Sequence, residues 1–188
     1  MQTPQAALDA VRSRIADACR AAGRDPAGVT LLAVSKKHAA EAVAALADAG
    51  QRDFGESYVN EAVAKIDALA DRSLCWHFIG PLQSNKTRAV AERFHWVHSV
   101  DREKVARRLS EQRPAELEPL NICIQVNIDR EPGKSGVDPD AARELAEAVA
   151  ELPGVRLRGL MAIPRADAAD RNRAAFHELA MTLSHWRH

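Results

Sequence analysis

Apolar positions along the chain recur with two different periods. Leu8, Val11, Ile15, Ala18, Cys19 and Ala22 return at helical spacing until Gly23 and Asp25-Pro26 interrupt them, so an amphipathic helix opens the chain. An apolar strand pattern, Leu31 to Val34, follows and delivers Ser35 and Lys36 to its end. A helix with Val43, Leu46 and Ala47 on one face closes at Gly50, and Arg52 to Gly55 reads as a second, short strand. Val59, Ala62, Val63, Ile66 and Leu69 align on the next helix. Cys75 to Ile79 makes a third strand, stopped by Gly80-Pro81, with Ser84 as cap of a helix running toward Phe94. His95 to Val100 is the fourth, and Asp101 caps a helix bearing Val105 and Leu109. Beyond a linker from Pro114 to Pro119 comes a fifth strand, Leu120 to Ile128. Asp138-Pro139 starts a helix striped by Ala142, Leu145, Ala146, Val149 and Leu152. A sixth strand, Val155 to Ile163, ends at Pro164, and a last helix covers about Asp170 to Trp186.

Regular alternation of this kind predicts an α/β fold with right-handed crossovers and a mostly parallel sheet, closed into a barrel or left open. A closed (β/α)8 TIM barrel needs eight strands. With six, the pattern predicts an open or incomplete barrel preceded by an extra N-terminal helix, or a chain that stops before the fold is finished. The 188 residues fit one sizeable domain, 1–188, and the 46% hydrophobic and 28% charged content is that of a soluble globular protein. Aromatics are only 4%, so aliphatic side chains must fill the core. The 26 basic and 26 acidic side chains cancel, which leaves no global field for nucleic acid or an anionic membrane. Cys19, Cys75 and Cys123 are widely spaced, without a CxxC pair, and point to a reducing cytoplasm. No basic stretch followed by an apolar run opens the chain, so a protein that is not exported is expected.

The strand-end lysine is the leading chemical candidate. A lysine stem leaving a buried strand is partly desolvated, which favours the free amine that attacks an aldehyde to form a Schiff base, pyridoxal 5'-phosphate being the commonest partner. An ordinary lysine with its head in water fits the hexapeptide equally well. Gly80 to Lys86 opens a helix and can offer amides and a lysine to an anion, though a capped turn fits it better. His77, taken alone, reads as a core histidine. Gly133-Lys134-Ser135-Gly136 lacks the first glycine of a P-loop, Ile128 standing in its place, and Pro139 delays the helix. His95 and His98 fall on opposite faces of a strand, so no metal is expected, and neither a GxSxG elbow nor a dinucleotide fingerprint is present.

Five segments taken together resemble the YggS/PROSC family of pyridoxal phosphate homeostasis proteins. They are LLAVSK ending at Lys36, DFGESYVNE from Asp53 to Glu61, WHFIGPLQSNK from Trp76 to Lys86, VNIDREPGKSG from Val126 to Gly136, and GLMAIP from Gly159 to Pro164. They stand in register from the first helix to about residue 180. The resemblance implies the barrel of the alanine racemase N-terminal domain, with pyridoxal 5'-phosphate held as an internal aldimine on Lys36. It also implies that the segment from Glu56 to Tyr58, including Ser57 where the family usually has Asn, then His77 and Met161, surrounds the cofactor ring. Lys37 is expected to point away. The family continues into a Ser-Met-Gly-Met-Ser loop and a Val-Arg-Ile-Gly strand that grip the cofactor phosphate, so this chain is expected to be truncated and to hold the phosphate less tightly.

The expectation is therefore a monomeric, cytoplasmic protein that holds and hands over the cofactor without catalysis, with pyridoxal phosphate-dependent apo-enzymes and amino acids as partners. One alternative is an amino-acid racemase of the same fold, which needs a base on each face of the ring while this chain has a single tyrosine, Tyr58. Another is a remnant that no longer binds the cofactor.

Overall fold

A computed structural model describes residues 3–163 and 169–185 of the chain. It divides into two compact units, Met1–His77 and Phe78–His188. The first holds α1 (Pro4–Ala21), β1 (Ala33–Val34), α2 (Ala40–Asp48), β2 (Asp53–Glu56), α3 (Val59–Ala68) and most of β3 (Cys75–Phe78). Thr3 caps α1, its hydroxyl accepting from the Ala6 amide at 3.2 Å, and Pro4 sits in the first turn where its missing N–H costs nothing. β1 runs parallel to β2, pairing Ala33 with Phe54 and Val34 with Gly55. Leu8, Cys19, Val43, Ala47, Phe54, Ala62, Leu69, Leu74 and Trp76 fill the interior, Phe54 and Trp76 meeting at 5.9 Å between ring centroids. Val11, Ala18 and Ala22, placed by their spacing on the buried face of the first helix, are exposed.

The second unit contains α4 (Thr87–Arg93), β4 (Trp96–Val100), α5 (Glu103–Gln112), β5 (Leu120–Gln125), α6 (Ala142–Ala150), β6 (Val155–Met161) and α7 (Ala169–His185). Its strands follow in chain order, β4 parallel to β5 and β5 parallel to β6. One extra residue, Arg158, bulges β6 where the register moves from Ile122↔Leu157 to Cys123↔Gly159. The core packs Phe78 edge-on to Phe94 at 5.5 Å, with Val90, Val97, Leu109, Leu120, Ile122, Ile124 and Val149 around them.

Several boundaries differ from the sequence pattern, each for a local reason. The first strand is two residues long because the Gln51 side chain takes the Leu31 carbonyl at 2.7 Å, while the Ser35 carbonyl turns to the His38 amide. Ser84 does not cap a helix: it begins a short 3-10 turn, Ser84–Lys86, and its carbonyl accepts from the Thr87 hydroxyl at 2.9 Å. Asp101 does not cap α5 either, since its carboxylate pairs with Arg102 Nε at 3.0 Å and Arg102 holds the cap position. The fifth strand stops at Gln125: the Val126 amide still donates to the Met161 carbonyl at 2.8 Å, but from there the backbone turns to Val137, across the Gly133–Gly136 loop, in an isolated bridge. Asp138-Pro139 makes a turn, with Ala141 donating to the Asp138 carbonyl, before α6 begins at Ala142. Pro164, placed at the end of the sixth strand, and Trp186, placed in the last helix, lie outside the described residues.

The lysine turn and the candidate functional site

β1 ends in a tight turn, Ser35-Lys36-Lys37-His38, closed by the His38 amide donating to the Ser35 carbonyl at 3.0 Å. Lys37 occupies its third position with φ 65°, the left-handed value of a type II turn, where Gly or Asn is the usual residue. Lys36 itself is exposed. Its stem does not leave a buried strand as the apolar pattern predicts, because Val34 below it is 48% exposed.

A buried ionic cluster grips the turn on both sides of Lys36. The ammonium of Lys65, on α3, donates to the Ser35 carbonyl at 2.7 Å, to Glu56 Oε1 at 2.7 Å and to Glu61 Oε1 at 2.6 Å. The Ser35 hydroxyl donates to the same Glu56 oxygen at 2.7 Å, and the Lys37 amide donates to Glu61 Oε1 at 2.6 Å. Lys65 is 5% exposed and Glu56 fully buried, so these charges persist only because they are paired. Burial pulls the Lys65 pKa down, but the hydrogen bonds it donates to Glu56 and Glu61 outweigh it and hold the ammonium above its ordinary value. The Lys65 hydrogen bond likewise keeps the Glu61 carboxyl below the usual carboxylate range, against a smaller cost of burial. Glu56 thus serves the turn from below. Sequence reasoning missed this cluster, although Lys65 stands on the apolar stripe between Ala62 and Leu69 and four residues after Glu61.

A second cluster lies in the same unit. His77, buried in β3, has Nε2 3.1 Å from Asp53 Oδ1, and Cys75, two residues earlier, also bonds to Asp53. One donor atom from each of the three falls within 4.8 Å of the others. Burial first, then the charge of Asp53, push the Cys75 thiol up to about 12, so the sulfur stays protonated and donates. Ser57 is half-buried directly after β2, and Tyr58 is 51% exposed.

Met161 belongs to the second unit, half-buried at the end of β6. Beside it in sequence, Ile163 lines a cavity of about 230 Å³ with Gln125, Asn127, Lys134 and Ser135. Lys134 is ion-paired with Glu131, and the Gly133–Gly136 loop is tied down by Gln125 Nε2, which donates to the Ser135 carbonyl at 3.3 Å. No helix follows this loop until Ala142, so it forms no P-loop. Among the described residues no helix is long and apolar enough to cross a membrane.

Residues 7–187 match the family described as alanine racemase, N-terminal domain. A pyridoxal phosphate homeostasis protein of Pseudomonas aeruginosa is 61% identical over 167 residues, covering 89% of this chain and 71% of that protein. PipY of Synechococcus elongatus, solved with PLP bound, superposes with a TM-score of 0.78 at 36% identity, covering 93% of this chain and 81% of PipY. Alanine racemase of E. faecalis reaches a TM-score of 0.69 at 18% identity over 97% of this chain and 49% of its own, a likeness of fold alone. Six strands alternating with helices, a lysine turn at the end of the first, and these likenesses lead to one conclusion: the chain belongs to the pyridoxal phosphate homeostasis protein family and has the incomplete α/β barrel of the alanine racemase N-terminal domain.

Proposed function

We propose that this protein binds pyridoxal 5'-phosphate through Lys36 and serves intracellular homeostasis of that cofactor, holding and releasing it rather than using it for turnover. The observation that carries the reading is the exposed Lys36 amine at the tip of a turn braced from below, in a chain 36% identical to a protein solved with PLP bound. When bound, the cofactor supplies an aldehyde that condenses reversibly with a lysine amine and releases one water.

The residues of the turn fit that chemistry. Lys36 presents a primary amine to solvent, and its neighbour Lys37 is committed through its backbone to Glu61. Ser57 and His77 are the side chains of the first unit that we assign to the ring surroundings, with Asp53 fixing the orientation of the His77 imidazole. We read residues 1–188 as one cofactor-binding barrel domain, monomeric and cytoplasmic, that exchanges the cofactor with apo-enzymes and amino acids. An amino-acid racemase is the second reading. It is the weaker one, because racemisation needs a base on each face of the ring while the chain has a single tyrosine, Tyr58, which is 51% exposed.

Incubation with pyridoxal 5'-phosphate, borohydride reduction and peptide mapping test the proposal. The adduct is expected on Lys36, and Lys36→Ala is expected to lose both the adduct and the absorbance of lysine-bound cofactor. Labelling of Lys86 or Lys134 with Lys36 unmodified overturns the assignment, absence of any adduct favours a non-binding remnant, and release of the opposite enantiomer from an L-amino acid favours the racemase.

A further inference from the structure

We infer that Glu61, backed by Lys65, is a positioning residue for Lys36: it holds the neighbouring Lys37 in a left-handed conformation and so sets where the Lys36 amine points. The inference rests on the cofactor-binding reading of Lys36 and goes beyond it by assigning a role to residues that act on Lys36 through the backbone of the turn. Three observations carry it. Lys37 has φ 65°, a value a β-carbon disfavours, so a relaxed lysine at this place would leave the turn. The Lys37 amide donates to Glu61 Oε1 at 2.6 Å, which fixes the peptide between Lys36 and Lys37. The Ser35 carbonyl accepts from Lys65 Nζ at 2.7 Å as well as from the His38 amide, which fixes the peptide between Ser35 and Lys36. Both peptide planes that flank the Lys36 α-carbon are therefore tied to one side-chain cluster, and Lys65 joins the two ties because its ammonium also binds Glu61 at 2.6 Å. Such strain persists only where the surroundings over-determine it, and orientation of a reacting amine is what it secures.

The test separates orientation of the amine from binding of the ring. For the wild type, Glu61→Ala, Glu61→Gln and the double variant Glu61→Ala/Lys37→Gly, two quantities are measured. One is the rate at which pyridoxal 5'-phosphate becomes borohydride-trappable on Lys36, read by mass spectrometry. The other is fluorescence-detected affinity for 4-deoxypyridoxine 5'-phosphate, which has a methyl group in place of the aldehyde. Loss of the charge-assisted hydrogen bond from the Lys37 amide, the tie that bears on Lys36, predicts trapping about tenfold slower in Glu61→Ala. Affinity for the methyl analogue is expected to stay within about twofold, since a residue that acts through the turn backbone alone leaves binding of the ring unchanged. Lys37→Gly makes the left-handed φ free of strain, so the double variant is expected to recover to within about threefold of wild type. Glu61→Gln keeps an acceptor for the Lys37 amide and is expected to behave like the double variant even if Glu61→Ala folds poorly. Wild-type trapping in Glu61→Ala, or a loss shared by the methyl analogue and not rescued by Lys37→Gly, overturns the inference. A wild type that traps nothing on Lys36 overturns the cofactor-binding reading itself, and the inference with it.

Discussion

At the scale of single residues, ionisation states give the sharpest expectations. Burial and Asp53 raise the Cys75 thiol from 9.0 to about 12, and burial raises Cys123 from 9.0 to about 11. Because only the thiolate is alkylated, a rise from 9.0 to about 12 lowers the reactive fraction at pH 8 about a thousandfold. Cys75 should therefore resist iodoacetamide in the native protein and react rapidly in denaturant, and native alkylation at the denatured rate contradicts its placement. Glu61 has a folded pKa below its unfolded value near 4.5, so it binds a proton less readily when folded. Its contribution to stability is present above that value and lost as pH falls through the folded one. Lys65 is the mirror case, with a raised pKa: its contribution is complete below 10.5 and lost above it as pH rises through the folded value. Circular dichroism between pH 5 and pH 2 should show the wild type losing more stability than Glu61→Gln. Lys36 was legible as a residue because a lysine ending an apolar run stands out, and Ser57, His77 and Met161 were nameable through the family resemblance. Glu61 and Lys65 were not singled out, because a Glu and a Lys four apart on a helix read as a solvated pair until the helix is seen to press them under the turn.

At the scale of elements, each helix and strand was readable as to type, while its ends were set by competition for backbone groups. The Gln51 amide shortens β1, and Arg102 displaces Asp101 from the cap of α5, events that no hydrophobic period encodes. Element-level predictions follow from the same packing. Lys65→Met leaves the carboxylates of Glu56 and Glu61 without their cation, and removing one partner of a buried pair costs about 3–5 kcal/mol. Thermal unfolding should register that loss, and an unchanged Tm would show that the pair is dispensable. In the second unit Gly154 precedes β6 where an added β-carbon would fall 2.2 Å from the Ser110 carbonyl oxygen, while its amide takes the Ser110 hydroxyl at 2.9 Å. Gly154→Ala must separate α5 from the start of β6 and is expected to cost about 1–3 kcal/mol in denaturant unfolding. Gly28→Ala, facing open space in a 3-10 turn, is the matched control and should change stability little.

At the scale of the whole molecule, ligand linkage connects stability to the proposed role. Pyridoxal 5'-phosphate at a hundred times its Kd should add about 2.7 kcal/mol to the folded state, seen as a higher Tm. Lys36→Ala should reduce or abolish that gain, and an equal gain in the variant would place the cofactor elsewhere. The chain by itself determined the alternation of strands and helices, hence a parallel α/β architecture, because burial of apolar faces at periods of 2 and 3.6 is a local property of sequence. It also determined that a lysine follows closely on the first strand. Only the tertiary structure decided how that lysine is held, because the ties on Ser35 and Lys37 come from Glu56, Glu61 and Lys65, residues 21 to 30 positions away along the chain. Contacts between side chains so far apart depend on how α3 packs beside the ends of β1 and β2, and packing of that kind is a property of three dimensions that spacing along one cannot express.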